Sequence, residues 1–187
     1  YGVARWAIAG QSGGAAAAAN LLARRQDIAC AALGSGPLAL RAQLARQGAR
    51  ADVVAGLDDP IDHVGAIRAD PARRVFVLSD ALDSLVPTSV QDPWVQAAAG
   101  YGHAVRHLVH RGWGAGPQHH DLTLQAVLAA SLCAQGAATG SIVDAVIAGG
   151  PLGRPELTLP GQDRLSSLSE RRDSLRRLPA SGRNGRV

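Results

Sequence analysis

The segment of this sequence best suited to chemistry is Gly-Gln-Ser-Gly-Gly at residues 10–14. It follows an apolar, partly β-branched run at residues 3–9 and precedes an alanine-rich segment at residues 15–25, a pattern typical of a strand, a sharp turn and a helix. A G-x-S-x-G turn in this position needs glycine on either side of the serine and holds the serine oxygen clear of the backbone. We therefore interpret Ser12 as a nucleophile, with the amide of Gly13 facing the oxyanion that forms on an attacked carbonyl.

The alternative interpretation of residues 10–14 is a glycine-rich connection that cradles a phosphate. The string is neither G-x-G-x-x-G nor followed by G-K-[ST], and Cys30 stands where a dinucleotide-binding fold would place an acid. All 19 basic residues are arginine. The absence of lysine excludes mechanisms that need a lysine Schiff base or a phosphate-loop lysine.

A serine nucleophile needs a general base and an acid that orients the base. Two candidate acids, Asp80 and Asp83, follow a short apolar run at residues 75–78 that is predicted to be a strand. Parallel sheets place their functional sites just past the carboxyl ends of strands. Taken singly, each aspartate could equally be a solvated loop residue.

Two candidate bases, His119 and His120, follow the alternating run at residues 105–109, which is predicted to be the next strand. Taken singly they could be polar loop residues, with Asp121 capping the helix that comes after them. Serine, acids and histidines nevertheless each follow a predicted strand, in that order. This arrangement favours a catalytic triad.

Apolar runs of strand type alternate with helical patterns along the chain, which predicts an α/β fold with a mainly parallel sheet and helices on both faces. We find no internal repeat. Strands are predicted at residues 3–9, 28–33, 75–78 and 105–109, and helices at residues 15–25, 38–44, 88–101 and 122–133, with a last short helix opened by a capping-box-like start at residues 141–144.

Residues 1–135 resemble the second half of the catalytic domain of the prolyl oligopeptidase family of serine peptidases and, more broadly, α/β-hydrolases. Residues 5–14 resemble the nucleophile strand and elbow of that family. At residues 75–87 the resemblance covers an acid loop in which an aspartate stands three residues before Val-Pro. Residues 31–38 resemble the family's next strand and loop, and residues 59–64 resemble the segment that precedes its acid-bearing strand.

The resemblance implies roles for individual residues. It selects Asp83 over Asp80 as the acid, and His120 over His119 as the base because an apolar residue that begins a helix follows two positions later. His119 remains the alternative base. The sequence departs from the family where Ser79 and Asp80 replace the usual His-Gly, and where two histidines stand in place of one.

The implied activity is hydrolysis of an ester or peptide bond through an acyl-enzyme, most like a prolyl oligopeptidase family peptidase. Ser12 would be the nucleophile, His120 the general base, Asp83 its orienting acid and Gly13 an oxyanion donor. No cofactor is implied. The alternatives are a carboxylesterase and a catalytically silent hydrolase-like binding module.

The sequence contains no methionine, so we expect it to be the later part of a longer chain. In α/β-hydrolases the serine-bearing strand is central and the second oxyanion donor comes from an earlier loop. We therefore expect the first half of the sheet to be missing from this chain. Residues 3–9 should then form an exposed apolar edge that an upstream half or a partner chain completes.

Residues 1–150 are predicted to form the hydrolase-like unit and residues 151–187 an arginine-rich, disordered tail. From position 152 onward the tail holds eight arginines and four acids, which accounts for the whole formal charge of +4. It has no aromatic residue to stack on a base, so a nucleic-acid partner is not expected. No apolar run approaches the ~20 residues of a membrane span.

The remaining candidates for chemistry are cysteines and histidines. Cys30 and Cys133 lie in apolar stretches and are interpreted as small buried hydrophobic residues that form no disulfide framework, so nothing requires an oxidising compartment. The location stays unknown, because a signal peptide would lie outside this sequence, and the cytoplasm is favoured on the cysteines alone. His103, His107 and His110 have a spacing that could suggest a metal site. On a strand they would not converge, so we interpret them as solvated strand-edge residues and predict no metal.

Overall fold

A computed structural model describes residues 5–149 of the chain. Its sheet has four strands that are hydrogen-bonded in chain order, and each neighbouring pair is parallel. The α/β class and the mainly parallel sheet predicted from the sequence are confirmed. The strands are β1 (Trp6–Gln11), β2 (Ile28–Gly34), β3 (Arg74–Asp80) and β4 (Val105–His110).

Helices cover both faces of the sheet. Three short segments were not predicted: α3, α4 and the 3-10 turn that follows α4. The capping box predicted at residues 141–144 is wrong, because α7 begins at Thr139 and its N-cap residue, Ala138, makes no side-chain bond. The helices are α1 (Gly13–Arg24), α2 (Leu40–Arg46), α3 (Ala51–Ala55), α4 (Pro60–His63), the 3-10 turn Val64–Ala66, α5 (Thr88–Gly100), α6 (Thr123–Ala134) and α7 (Thr139–Ala148).

The two central strands, β2 and β3, carry the core on both of their faces. Successive side chains of a strand point to opposite faces, so each strand contributes to two apolar layers. One layer packs the sheet against α1 and α5, and the other packs it against α6 and α7. The first includes Ala31, Leu33, Val75, Val77, Leu22 and Trp94; the second includes Ala32, Phe76, Leu78, Trp113, Ala129 and Ile142.

Cys30 of β2 and Cys133 of α6 form a disulfide, with their Cα atoms 6.1 Å apart. The expectation of two separate thiols is wrong. The residues are 103 positions apart, and only the packing of α6 on this face of β2 brings them together. Because disulfides persist in oxidising compartments, the argument from cysteine for a cytoplasmic location loses its basis.

Within the described residues, β1 pairs with β2 alone and its other edge is open. Trp6 is 47% exposed at this edge. An open apolar groove of about 290 Å³ runs along one face of the strand and one of about 270 Å³ along the other. The first is lined by Trp6, Ile8, Leu21, Arg25 and Ile28, and the second by Ala7, Ala9, Val127, Ala130, Ser131 and Ala134.

None of the helices in residues 5–149 is both long enough and apolar enough to cross a bilayer. The arginine-rich tail predicted at residues 151–187 lies outside the described residues.

Candidate active site

Ser12 lies in the sharp turn between β1 and α1. Its backbone has φ 54° and ψ −123°, in the left-handed half of conformational space that a residue with a side chain rarely adopts. Such a conformation costs about 1–3 kcal/mol and is found most often at functional sites. Although Ser12 occupies the N-cap position of α1, its side chain makes no capping hydrogen bond, so the helix does not engage the hydroxyl.

The tightness of the turn depends on Gly10. A Cβ atom on Gly10 would lie 2.3 Å from the carbonyl oxygen of Gly14, whereas a Cβ on Gly13 or Gly14 would meet no atom within 4 Å. The expectation that glycine is required on both sides of the serine is therefore wrong for the later side. The reason is that α1 turns back directly over the end of β1, and only Gly10 lies beneath it.

Asp83 and His120 form a buried pair beyond the carboxyl ends of the strands, the same end of the sheet at which Ser12 lies. The Nδ1 atom of His120 lies 2.9 Å from Oδ2 of Asp83. The other carboxylate oxygen, Oδ1, accepts hydrogen bonds from the amides of Leu85 and Val86, both at 2.9 Å. The Asp83 side chain is completely buried and that of His120 is 17% exposed. With Nδ1 held by Asp83, Nε2 of His120 is the ring nitrogen left to accept a proton.

His119 has no such partner. Its Nδ1 atom is 3.9 Å from Oδ2 of Asp80, too far for a hydrogen bond, and it is a buried polar atom without a partner. His119 also has a positive φ of 53°. The structure therefore places His120, and not His119, against Asp83.

Ser12, Asp83 and His120 each follow the carboxyl end of a strand, and in this parallel sheet those ends lie on the same side. The strands are β1, β3 and β4. Among residues 5–149, no hydrogen bond joins the hydroxyl of Ser12 to His119 or His120. Hydrogen bonds of this kind are often long without substrate and tighten when substrate binds. The amide of Gly13, the first residue of α1, has no carbonyl partner within the helix and faces the side where the helix dipole is positive.

No protein-family profile and no curated protein matches this sequence. Solved structures do match. They include puromycin hydrolase (TM-score 0.50, 21% identity over 69% of this chain) and a mutant of that enzyme (TM-score 0.54, 22% identity over 73%). An esterase from Pyrococcus furiosus matches with a TM-score of 0.45 and 18% identity over 58% of this chain.

The chain has an α/β-hydrolase fold. This confirms, at the level of fold, the resemblance to α/β-hydrolases inferred from residues 1–135. The chain spans less than half the length of these proteins, covering 44% of the esterase and 22–23% of the two puromycin hydrolase chains.

Asp80, the acid that had no assigned role, organises the loop between β4 and α6. Its Oδ1 atom accepts from the amides of Leu82 at 2.8 Å and Gly112 at 3.0 Å, and its Oδ2 atom accepts from the amide of Gly114 at 2.6 Å. Burial alone would raise the pKa of Asp80, but these three amides outweigh burial and hold the pKa below its ordinary value of 3.8. Asp80 is thus a charged anchor for the loop between β4 and α6.

The histidine-bearing loop, residues 111–122, is also held at other points. The amide of Ser84 donates to the carbonyl of Gln118 at 3.1 Å. The side chain of Gln11 bonds to the main chain at His120 and Leu122. Sequence reasoning missed the roles of Gln11 and Asp80. Gln11 stood only at a variable position of the G-x-S-x-G motif. Asp80 was marked only by a difference from the His-Gly of the family that the sequence resembles.

The three histidines near β4 have separate surroundings in the structure. His107 lies 2.7 Å from the hydroxyl of Ser79. His110 stacks on Trp113 with ring centroids 4.8 Å apart. Burial lowers the pKa of His103, with a smaller contribution from the charge of Arg73. Residues 5–149 contain no group of three or more histidine, cysteine or carboxylate side chains placed to hold a metal ion.

Proposed function

We propose that this chain carries the catalytic residues of a serine hydrolase that cleaves ester or peptide bonds through an acyl-enzyme. The observation that carries the proposal is the buried hydrogen bond between Asp83 and His120. It lies at the carboxyl ends of the strands, where Ser12 occupies a strained turn. The α/β-hydrolase fold supports the general class of reaction. The assignment of Ser12, Asp83, His120 and Gly13 to catalytic roles is part of the proposal.

In the proposed reaction, the oxygen of Ser12 forms a bond to the substrate carbonyl carbon as Nε2 of His120 takes the hydroxyl proton. Asp83 holds the imidazole in the required tautomer and stabilises its positive charge. The amide of Gly13 donates to the oxyanion. His120 then gives the proton to the alcohol or amine as its bond to the carbonyl carbon breaks, which leaves the acyl group on Ser12. A water molecule, deprotonated by His120, attacks the acyl carbon, the bond to the Ser12 oxygen breaks, and His120 returns the proton to Ser12 as the acid leaves.

For the substrate we favour a peptide, since the acid loop with Val86-Pro87 resembles that of the prolyl oligopeptidase family. A carboxylesterase is the alternative, because one triad geometry serves both bonds and the surrounding loops decide between them. Parallel assays with p-nitrophenyl esters and with short peptide anilides distinguish the two.

We further propose that the open edge of β1 pairs with a strand from an upstream part of the same protein or from a partner chain. Trp6 and the two apolar grooves on either side of β1 support this, because an exposed apolar edge strand is a site for strand pairing. The same segment would supply the second oxyanion donor. The loss of one such donor costs on the order of 10²–10³ in rate, so the chain without it should be a poor catalyst.

Labelling of the full-length protein with a fluorophosphonate probe tests the proposal. We expect stoichiometric labelling at Ser12, located by peptide mass spectrometry, and none in Ser12→Ala. His120→Gln should slow labelling by roughly 10²–10⁴-fold, the usual contribution of a general base.

The matched control is His119→Gln, which changes the neighbouring imidazole and should label close to the wild-type rate. Equal effects of the two histidine substitutions would contradict the assignment of His120. A folded full-length protein that does not label at Ser12 would favour the catalytically silent binding module.

A further inference from the structure

Gln11, the residue immediately before Ser12, connects the nucleophile turn to the loop that carries His120. Its Nε2 atom donates to the main-chain carbonyl of His120 at 2.6 Å. Its Oε1 atom accepts from the main-chain amide of Leu122 at 3.1 Å. One side chain therefore holds the backbone on both sides of Asp121, using its donor and its acceptor at once.

The surroundings of Gln11 are shaped for this contact. Gln11 is the last residue of β1 and lies opposite Gly34 of β2. A Cβ atom on Gly34 would stand 2.9 Å from Oε1 of Gln11 and 3.2 Å from Cβ of Leu122. The bare backbone of Gly34 leaves the space in which the amide side chain and Leu122 meet. Leu122 is fully buried at the start of α6, so the loop end to which Gln11 is bonded has little freedom.

His120 is thus fixed at two places by residues from two strand ends. Asp83, after β3, holds the imidazole at Nδ1. Gln11, at the end of β1, holds the main chain of the same residue. Because Ser12 is bonded directly to Gln11, a movement of the His120 main chain away from the nucleophile lengthens or breaks a hydrogen bond of Gln11.

We propose that Gln11 is a positioning residue that sets the separation between Ser12 and the His120 imidazole. This rests on the proposed serine hydrolase function and adds to it the device that aligns nucleophile and base. A displacement of about 1 Å between reacting groups costs on the order of 10² in rate, which is the scale of the expected effect.

At neutral pH, an amide side chain supplies both bonds and an ionised carboxylate of the same shape does not. Glutamate has the same shape, but its carboxylate can accept from Leu122 and cannot donate to the carbonyl of His120. A protonated glutamic acid can do both. Gln11→Glu therefore tests the donor separately, and its defect should shrink at lower pH, where the introduced carboxyl gains a proton.

The experiment measures the second-order rate of fluorophosphonate labelling at Ser12 in the full-length protein from pH 5 to pH 9. We expect Gln11→Ala to label ~10²-fold more slowly than wild type at every pH. Gln11→Glu should show a similar deficit at high pH that becomes smaller as the pH falls. Gln96→Glu, an exposed change of the same type on α5, should match wild type.

Two further measurements separate alignment from folding. Thermal unfolding identifies any variant that is simply unfolded, and Gln11→Asn, which keeps the amide on a shorter side chain, then serves as a milder disruption. Amide hydrogen exchange at Leu122 should accelerate in Gln11→Ala if the tether exists.

A folded Gln11→Ala protein that labels at the wild-type rate would overturn the positioning role while leaving the serine hydrolase intact. A Gln11→Glu protein that labels at the wild-type rate at pH 9 would also contradict it, because the carboxylate there cannot donate to the carbonyl of His120. Failure of the wild-type protein itself to label would instead overturn the proposed function.

Discussion

Asp80 accepts hydrogen bonds from the amide of Leu82 in its own loop and from the amides of Gly112 and Gly114 in the loop between β4 and α6. Hydrogen bonds to a charged acceptor each contribute about 1.5–3 kcal/mol, and a buried donor left without its acceptor costs about 1–3 kcal/mol. A neutral amide at this position would turn an NH₂ group toward one of these donors. The charge of Asp80 is therefore part of how the loop keeps its shape.

We expect Asp80→Asn to lower the free energy of unfolding by about 2–3 kcal/mol and to slow labelling of Ser12, because the loop that carries His120 loosens. Urea unfolding and the labelling rate measure the two effects. Asp144→Asn, an exposed aspartate on α7, is the control and should change neither. If Asp80→Asn unfolds at the wild-type urea concentration, Asp80 does not anchor the loop.

At this scale, the sequence was sufficient to predict that Ser12, the two candidate acids and the two candidate histidines follow the carboxyl ends of strands, because residue type and position after a strand are local information. The choice of Asp83 and His120 among them came from the family resemblance. The sequence was not sufficient for Gln11 and Asp80. Gln11 contacts main-chain atoms 109 and 111 residues away, and Asp80 reaches Gly112 and Gly114 across 32 and 34 residues. Because every residue has a main-chain amide or carbonyl, the identity of the residue at the far end of such a hydrogen bond does not reveal the contact.

The turn from β1 to α1 can be tested as an element by a pair of alanine substitutions. Gly10→Ala would place a Cβ atom 2.3 Å from the carbonyl oxygen of Gly14, so α1 must move away from β1. Gly14→Ala meets nothing within 4 Å and lies in the first turn of the helix. We expect Gly10→Ala to destabilise by several kcal/mol or prevent folding, and Gly14→Ala to be neutral or stabilising by up to ~1 kcal/mol.

Thermal and urea unfolding compare the two alanine variants directly, and each carries the same added methyl group. Equal stability of the two would contradict the close approach of α1 to the end of β1.

Strands and long helices were predicted because their periodicity is strong, whereas α3 and α4 span only five and four residues and have no repeated pattern. The region around α4 is shaped by tertiary contacts instead. The buried carboxylate of Asp59 accepts from the amides of Leu40 and Arg41, both at 2.8 Å, and from that of Ile61. Asp59 thus joins the starts of α2 and α4, which no local pattern reveals.

For the molecule as a whole, the disulfide between Cys30 and Cys133 closes a long loop of chain. In the chain-entropy description, a crosslink over roughly 100 residues stabilises by about 4.7 kcal/mol through its effect on the unfolded state. We expect the double substitution Cys30→Ala and Cys133→Ala to lower the urea midpoint. Dithiothreitol should lower the wild-type midpoint similarly and leave the double variant unchanged.

Two free thiols, found by alkylation and mass spectrometry in protein purified without reductant, would contradict the crosslink. The sequence could not reveal this pair, because each cysteine lies in an apolar pattern that an unpaired buried residue fits equally well. Only the packing of α6 on β2 shows that the two cysteines are paired and not separate thiols.

The crosslink also bears on how the two ends of α6 are held. At one end the Leu122 amide is fastened to Gln11 of β1, and at the other Cys133 is joined to Cys30 of β2. Protein produced in a reducing host would lack the disulfide between Cys30 and Cys133 and keep the hydrogen bond between Gln11 and Leu122. His120, in the loop before α6, would then precede a helix whose far end is no longer crosslinked to β2. Specific activity should therefore depend on the oxidation history of a preparation, even where every residue is native.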